Sequence, residues 1–326
     1  MAAKRVLITG ASGFVGANLA RRALLEGHEV HVLLRPSHQC WRMDEIANEV
    51  QSYSADLENR DRVRTVVRQV KPDWVFHLAA YGAYSSQKEF DQMVQTNVLG
   101  CASLLDACLD NGCDAFVNCG SSSEYGWKDH APSEDEPIEP NSYYAITKAA
   151  ATHYCELAAR VQGARIFTLR LYSIYGPYEG PSRLVPTLLV HALEGKLPPL
   201  VSPATARDYV FVDDACDAMI SVARSSGLAN GIYNVCTGVQ TSLAQLVSIA
   251  RSMLHVSSEP QWGTMSQRSW DSDVWVGSPA KLKRQIGWNP RTGLEEGLLR
   301  TVEWFRMNPQ WLQFYANRIL STSPSR

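Results

Sequence analysis

The chain has 326 residues, more than most single hydrophobic cores hold, so one large domain with an appended lobe or two unequal domains is expected. Its 45% hydrophobic and 20% charged residues are typical of a globular protein. The formal net charge of −2 gives no long-range attraction to polyanions, and no apolar run approaches the roughly 20 residues that span a bilayer. We therefore expect neither nucleic acid nor a membrane as a partner.

The N-terminal residues and the cysteines indicate the compartment. Residues 1–5 run directly into a short apolar strand and are too short and wrongly flanked for a signal peptide. The eight cysteines are scattered, with no C-x-x-C and no His/Cys cluster at zinc spacing, so no metal site is predicted. Most of them are expected to be buried or half-buried in a reducing, cytoplasmic environment.

The first half of the chain alternates β-rich runs with helical patterns, which is typical of βαβ units and a parallel sheet. Strands are predicted at Arg5–Thr9, Glu29–Leu34, Val50–Ser54, Trp74–Leu78, Ala115–Cys119 and Arg165–Leu171. Helices are predicted at Gly13–Glu26, Arg60–Val70, Gln92–Asn111 and Tyr143–Gln162. This pattern predicts an α/β fold with a doubly wound parallel sheet of the Rossmann type, whose ligands bind beyond the carboxyl ends of the strands.

A glycine-rich turn follows the first predicted strand directly. Glycines let the backbone turn tightly and approach a pyrophosphate, while the next helix offers free N–H groups and a positive dipole end. The turn therefore predicts a dinucleotide site. Its cofactor-binding residues would be Gly10, Ser12, Gly13, Phe14, Val15 and Gly16. Glycines at every third position resemble the extended short-chain dehydrogenase/reductase family.

The residues after the second strand favour NADP(H) over NAD(H). An acidic residue about 20 residues after the glycines would bind the ribose 2′-hydroxyl of NAD, but the strand here ends in Arg35, followed by Ser37. A guanidinium with a nearby hydroxyl suits a 2′-phosphate. Alternatively, Arg35 stacks on the adenine of NAD. Asp56 and Leu57 match the family's adenine-contacting position, although Asp56 could instead cap the helix that begins near Asn59.

A Ser/Tyr/Lys constellation predicts catalysis of hydride transfer. Tyr144 and Lys148 stand four apart and would share a helical face, so the ammonium can favour the phenolate form of a phenol whose pKa is near 10. Ser121 follows the fifth strand. The pattern resembles the family's triad, with Tyr144 as acid/base, Lys148 as its pKa tuner and ribose anchor, and Ser121 as hydrogen-bond donor to the carbonyl. Tyr143 would lie at the helix entrance, on the wrong face.

Further segments carry the same resemblance. It implies that Leu78, Ala79 and Ala80 form a cofactor wall, that Asn97 orders the active-site backbone, and that the segment of Tyr172 closes over the nicotinamide. We interpret His77 as a structural hydrogen bonder. The matches continue to the C-terminal stretches 286–291 and 294–298.

The chain becomes punctuated by Pro and Gly after about Gly176, which indicates a smaller lobe. We assign residues 1–175 to a dinucleotide-binding Rossmann domain that includes the triad. Residues 176–326 would form mainly a C-terminal α/β lobe for a nucleoside-diphosphate sugar, with some segments returning to the first domain. Asp213 and Asp214 are interpreted as a helix N-terminal cap.

The resemblance also implies the substrate contacts. Family members commonly carry Asn at the position of Ser173, so this chain departs from the pattern there. The arginines would clamp the diphosphate, because guanidinium groups bind phosphate oxygens bidentately. The predicted substrate-binding residues are Ser122, Ser123, Ser173, Arg183, Leu184, Arg207 and Arg268.

Three chemistries share this pattern of residues. Dehydratases of the family carry acidic residues where this chain has Ser122 and Ser123, and Glu124 is one residue too far along, so a 4,6-dehydratase ranks third. Arg35 favours an NADPH-dependent 4-ketoreductase of a 4-keto-6-deoxy sugar over an NAD-dependent C4 epimerase. A non-catalytic dinucleotide sensor is the alternative from another class, and the presence of Tyr144 and Lys148 argues against it. The resemblance further implies a homodimer formed through Gln92–Asn111 and Tyr143–Gln162.

Overall fold

The computed structural model describes residues 2–37, 39–84, 86–265 and 272–320. Its strands are β1 Arg5–Thr9, β2 Glu29–Leu34, β3 Gln51–Ser54, β4 Trp74–His77, β5 Ala115–Ser121, β6 Ile166–Leu171, β7 Ser173–Tyr175, β8 Ala206–Arg207, β9 Tyr209–Phe211, β10 Gly231–Val235 and β11 Thr241–Ser242. Its α-helices are α1 Phe14–Leu25, α2 Arg60–Val70, α3 Phe90–Met93, α4 Gly100–Asn111, α5 Tyr143–Gln162, α6 Leu184–Leu193, α7 Val212–Arg224, α8 Leu243–Leu254, α9 Ala280–Ile286, α10 Leu294–Met307 and α11 Pro309–Ile319.

The central sheet confirms the predicted Rossmann-type fold. It is a seven-stranded sheet in the order β10-β6-β5-β4-β1-β2-β3, and every pair in it is parallel. Val6 and Ile8 of β1 point into one core cluster, while Leu7 between them points into another. This alternation buries both faces of the sheet, which explains why its strands read as nearly continuous apolar runs.

The seventh strand, β10, was missed by the sequence analysis, which predicted six. β10 pairs in parallel with β6, although some 60 residues separate them along the chain. Its sequence Gly-Ile-Tyr-Asn-Val is short and lies in the region punctuated by Pro and Gly, so local pattern alone did not mark it. The chain thus leaves the sheet to build the lobe and returns to its edge.

Two predicted boundaries differ in ways that matter for the site. β5 continues past Cys119 to Ser121, because Gly120 and Ser121 pair with Arg170 and Leu171 of β6. The predicted helix Gln92–Asn111 begins at Phe90 and contains a π-helical segment, Val94–Leu99, between α3 and α4. The other predicted strands and helices agree with the structure to within one residue at each end.

The lobe consists of two small sheets and several helices. β7 pairs with β9 in parallel, and β8 pairs with β11 antiparallel. A separate apolar cluster forms its core, with contributions from α6, α8, α10 and α11. Among the described residues, no helix has the length and apolar character needed to cross a bilayer.

The interpretation of Asp213 and Asp214 as a helix cap is wrong. Phe211 is the N-cap of α7 and makes no side-chain cap hydrogen bond. Both aspartates lie in the first turn instead, where the helix dipole stabilises a negative charge. The Asp214 carboxylate accepts hydrogen bonds from the backbone N–H groups of Arg291 (3.1 Å) and Thr292 (3.0 Å). It therefore ties α7 to the segment that precedes α10.

Candidate active site

The glycine turn between β1 and α1 has the close packing that a pyrophosphate cradle requires. Gly10 has a φ of +72°, and a Cβ there would lie 2.6 Å from the Ala79 nitrogen. A Cβ on Gly16 would lie 2.3 Å from the Gly10 oxygen. Gly13 is the N-cap of α1, whose first turn carries no acidic residue. An anion can therefore approach the backbone closely, and no acidic side chain in the first turn of α1 would repel it from the helix N-terminus.

The end of β4 forms the neighbouring wall. The Thr9 hydroxyl lies 2.7 Å from Nδ1 of His77 and accepts a hydrogen bond of 3.3 Å from the Ala79 N–H. His77 is buried in this arrangement. Leu78, Ala79 and Ala80 are half-buried beyond the strand end.

The residues expected at the adenosine end lie beyond β2 and β3. Arg35 and Ser37 are exposed past the end of β2. The hydrogen bond to Glu89 raises the pKa of the Tyr81 phenol and the charge of Arg35 opposes this rise, so Arg35 lies near the segment after β4.

Asp56 does not cap α2, because the cap is Asn59, whose side chain accepts from the Arg62 N–H at 3.0 Å. Asp56 is half-buried and accepts from the Glu58 N–H at 3.1 Å. Leu57 is buried beneath Gly100 of α4.

The three triad residues come together where β5 ends and α5 begins. Ser121 is the last residue of β5. The Ser142 side chain caps α5 by accepting from the Ala145 N–H at 3.2 Å, which puts Tyr144 and Lys148 in the first two turns. Tyr144 is half-buried, whereas Lys148 is only 3% exposed. A buried ammonium needs neighbours that stabilise its charge, and Tyr144, Cys119 and Glu124 act in this way on Lys148.

Burial and neighbouring groups act in opposite directions on the pKa of each member of this pair. Burial raises the pKa of the Tyr144 phenol above its ordinary value, and the charge of Lys148 and a hydrogen bond with Ser121 oppose that rise. Burial works to lower the pKa of Lys148, but Tyr144, Cys119 and Glu124 more than offset it, so the pKa of Lys148 is raised. The lysine is therefore charged at neutral pH beside a protonated phenol.

Tyr143 lies at the helix entrance, as the spacing predicts. It is the first residue of α5, is 62% exposed, and packs on Phe90 with ring centroids 4.9 Å apart. It is thus turned away from the buried Lys148.

The π-helical segment positions Asn97 for a bridging role. The Asn97 side-chain amide accepts from the main-chain N–H of Tyr81 (2.8 Å) and donates to the main-chain carbonyl of Tyr81 (2.8 Å). It also donates to the Thr147 hydroxyl (2.9 Å). The Thr147 hydroxyl in turn donates to the main-chain carbonyl oxygen of Tyr144 at 2.9 Å. Asn97 therefore fixes the segment after β4 against α5. A Cβ on Gly82 of that segment would lie 3.1 Å from the Tyr144 ring.

Glu124 faces the interior and supports Ser121. Its carboxylate accepts from the Ser121 N–H (2.8 Å) and from Nε of Arg170 (2.9 Å), and both partners of this ion pair are at most 1% exposed. Ser121 in return accepts from the Ser123 N–H at 3.2 Å, which completes a capping box over the 3₁₀ turn Ser122–Tyr125. Sequence analysis missed this role, although Ser-x-x-Glu is a known capping signature.

The predicted substrate residues lie in different surroundings. Arg183 is exposed, its guanidinium lies 5.2 Å from the Tyr84 ring, and it donates to the Ala83 oxygen at 3.5 Å. It therefore reaches the segment that packs on Tyr144. Arg207 is half-buried with its guanidinium 5.3 Å from the Trp275 ring. Arg268 lies outside the described residues.

The remaining predicted residues vary in exposure. Ser122 is buried, Ser123 and Ser173 are half-buried, and Leu184 is 38% exposed at the start of α6. The Tyr172 ring is buried against Gly277. Among the described residues, no group of three or more His, Cys, Asp or Glu side chains could hold a metal ion.

The fold and the site together define a nicotinamide-dependent oxidoreductase of the extended short-chain type. Residues 6–236 match the family model described as the NAD dependent epimerase/dehydratase family. The chain belongs to this family and is an NAD(P)-dependent nucleotide-sugar enzyme.

Individual relatives agree with this assignment. The chain is 30% identical to a UDP-glucose 4-epimerase of Mycolicibacterium smegmatis, over 94% of this chain and 100% of that one. It is 26% identical to a trifunctional UDP-glucose 4,6-dehydratase/UDP-4-keto-6-deoxy-D-glucose 3,5-epimerase/UDP-4-keto-L-rhamnose-reductase of Arabidopsis thaliana, over 94% of this chain but only 48% of that one. The solved UDP-glucose 4-epimerase of Thermus thermophilus in complex with NAD has a TM-score of 0.81 and 29% identity, covering 92% and 98% of the two chains.

The two adjacent tyrosines of α5 provide a matched test of the triad. We expect Tyr144→Phe to lower kcat by about 10²–10⁴-fold, because it removes the acid/base hydroxyl and little else. Tyr143→Phe removes an exposed hydroxyl one residue away and should leave turnover unchanged. The measurement is turnover against UDP-glucose and a panel of nucleoside-diphosphate 4-keto-6-deoxy sugars. Equal losses in the two variants would contradict the assignment.

Proposed function

We propose that the protein is an NADPH-dependent ketoreductase that reduces C4 of a nucleoside-diphosphate 4-keto-6-deoxy sugar. The observation that carries this proposal is Arg35, a basic residue exposed beyond β2 where an NAD-specific enzyme would place a carboxylate. A guanidinium attracts the 2′-phosphate that distinguishes NADPH from NADH.

The roles proposed for the triad follow from its chemistry. Bound NADPH would supply the hydride for C4. Tyr144 donates the proton that the developing alkoxide needs, and the Ser121 hydroxyl donates a hydrogen bond to the same oxygen. Lys148 stays charged beside the phenol and stabilises the phenolate that proton transfer leaves behind.

The protonation state of Tyr144 supports the reductive direction. Because burial raises the pKa of its phenol, the group carries its proton at neutral pH and can act as an acid. The oxidation that opens an epimerase cycle needs a phenolate instead, which the positive ring of an oxidised nicotinamide would favour. Reduction by NADPH makes no such demand.

Dehydration remains the third candidate. The side chains after Ser121 are Ser122 and Ser123, which lack the acid/base carboxyl that expulsion of water requires. The nearby carboxylate of Glu124 is already occupied by Arg170 and the Ser121 N–H. It is fully buried.

Epimerisation at C4 with NAD is the second candidate. The 30% identity to a UDP-glucose 4-epimerase and the likeness to an epimerase in complex with NAD favour it. An epimerase retains its cofactor as a reversible hydride store, whereas a reductase consumes NADPH and must exchange it. Cofactor preference and stoichiometry therefore separate the two candidates.

We also propose a cytoplasmic homodimer. All eight cysteines lie in the described part of the chain and are free thiols, which fits a reducing compartment. On α5, Ile146, Leu157 and Val161 recur at helical spacing and are 47–67% exposed. They would form an apolar stripe that a second copy could cover by two-fold symmetry.

Substitution of Arg35 tests the cofactor proposal. Arg35→Ala should weaken NADPH binding by about tenfold or more and leave NADH binding unchanged, because only NADPH loses a charge-assisted hydrogen bond. Arg64→Ala, which removes an exposed arginine on α2, serves as the matched control. Both dissociation constants can be followed by cofactor fluorescence. Tightly retained NAD that is indifferent to Arg35 would favour epimerisation.

Substitution of Leu157 tests the dimer. Leu157→Arg places a charge in the middle of the apolar stripe and should halve the molar mass measured by light scattering. Leu25→Arg changes a leucine that is 85% exposed at the end of α1 and should leave the mass unchanged. A wild type that already has the mass of one chain at micromolar concentration would contradict the proposal.

A further inference from the structure

The segment between β2 and β3 carries two side chains that the proposed mechanism does not use, Trp41 and Arg42. Trp41 packs against the apolar core of the lobe, although it follows a strand of the central sheet. Its ring centroid lies 5.3 Å from that of Trp311 and 4.9 Å from that of Phe314, both of which belong to α11. The C-terminal helix therefore packs on the segment that follows β2.

Arg42 extends from these aromatic rings to the glycine turn. Its guanidinium lies 4.0 Å from the centroid of the Trp41 ring. Its Nε donates to the main-chain carbonyl of Tyr178 at 2.7 Å, and its Nη1 donates to the main-chain carbonyl of Ser12 at 3.3 Å. Ser12 lies within the glycine turn, between Gly10 and Gly13. Because the donors of a guanidinium have a fixed planar geometry, Arg42 ties the glycine turn to the loop of residues 176–183.

Glu45 fastens the same segment to α11 from the other side. Its carboxylate accepts from Nε1 of Trp311 at 2.7 Å, from Nη2 of Arg21 at 3.1 Å, and from the Tyr178 hydroxyl. Burial acts to raise the pKa of this carboxyl, but these three donors more than offset it, so the pKa of Glu45 lies below its ordinary value. The charged carboxylate thus joins α1, the loop of residues 176–183 and α11.

The shape of the glycine turn matters because backbone N–H groups would bind the pyrophosphate there. Such donors contribute only when the turn holds the conformation that directs them at the anion. A turn that is ordered in advance avoids the conformational entropy that a flexible one would lose on binding. Arg42 contacts a carbonyl of the turn itself, so it acts on the conformation of the turn. The pyrophosphate is common to NADPH and NADH, and the effect should therefore extend to both.

We propose that Arg42 is a positioning residue of the cofactor site, which α11 holds in place through Trp41 and Glu45. The C-terminal helix thereby contributes to dinucleotide affinity, although it lies far along the chain from the glycine turn. The inference rests on the proposed function only in requiring that this turn binds a dinucleotide, and it applies to NAD(H) as well as to NADP(H).

The test compares the binding of cofactor with the binding of UDP. Arg42→Met keeps an unbranched side chain against Trp41 and removes both donors. The dissociation constants of NADPH and NADH should both rise by about tenfold, which corresponds to the loss of hydrogen bonds from a charged group. The dissociation constant of UDP should change by less than about threefold. Cofactor binding is followed by fluorescence and UDP binding by calorimetry, at a temperature where circular dichroism shows every variant to be folded.

A variant on α11 tests the link to the C-terminal helix. Trp311→Phe keeps an aromatic ring beside Trp41 but removes the N–H that Glu45 accepts, so both cofactors should bind about threefold more weakly. Gln313→Ala changes an exposed residue of the same helix, and Arg306→Met removes an exposed arginine of α10. Both of these controls should bind the cofactors as the wild type does.

The outcomes separate this inference from the proposed function. Parallel weakening of NADPH and NADH, with UDP binding retained, supports the inference, whereas Arg35→Ala is expected to weaken NADPH alone. Unchanged cofactor binding in folded Arg42→Met, or an equal loss of UDP binding, would overturn it. If Arg42→Met does not fold, equal cofactor binding by Trp311→Phe and Gln313→Ala would overturn it instead. A wild type that prefers NADH would contradict the ketoreductase proposal, and the same comparisons made with NADH would still decide the inference.

Discussion

The buried ion pair between Glu124 and Arg170 is the interaction on which the active site depends. It joins the turn after β5 to β6 at 2.9 Å, and neither side chain is more than 1% exposed. Removal of one partner would leave an unpaired charge in the core, at a cost of about 3–5 kcal/mol. Because the same carboxylate accepts from the Ser121 N–H, the position of the serine at the strand end is fixed by the core beneath it.

Buried carboxylates that accept hydrogen bonds from backbone N–H groups also hold the lobe together. The Asp208 carboxylate, which is fully buried, accepts from the N–H groups of Thr237 (2.8 Å), Gly238 (3.0 Å) and Gly277 (3.3 Å). Asp214 does the same for Arg291 and Thr292. Both aspartates come from a stretch where sequence analysis expected a substrate contact or a helix cap. Their carboxylates hold the backbone of these segments in place.

The parts of the fold that sequence predicted are those with a local physical signal. Apolar runs predicted six strands, the glycine spacing predicted the tight turn between β1 and α1, and the four-residue spacing of Tyr144 and Lys148 placed both on α5. The missed features depend on residues far apart in the chain. β10 forms a strand because it pairs with β6 at the edge of the sheet. Arg42 contacts the main-chain carbonyl of Tyr178 only once the chain has folded. The π-helical segment likewise contains a residue, Asn97, whose hydrogen bonds go to Tyr81 and Thr147 in other parts of the chain.

The most direct measurement of the central proposal is the fate of the nicotinamide hydride. NADPH carrying deuterium at both hydrogen positions of C4 of its nicotinamide ring is incubated with the protein and UDP-, CDP-, dTDP- and GDP-4-keto-6-deoxy-glucose, and the sugar products are analysed by mass spectrometry and NMR. A reductase that uses Tyr144 as its acid predicts one deuterium at C4 of the sugar for each NADP⁺ formed, with the transfer lost in Tyr144→Phe. Interconversion of UDP-glucose and UDP-galactose, with no net oxidation of NADPH on any keto sugar, would contradict it.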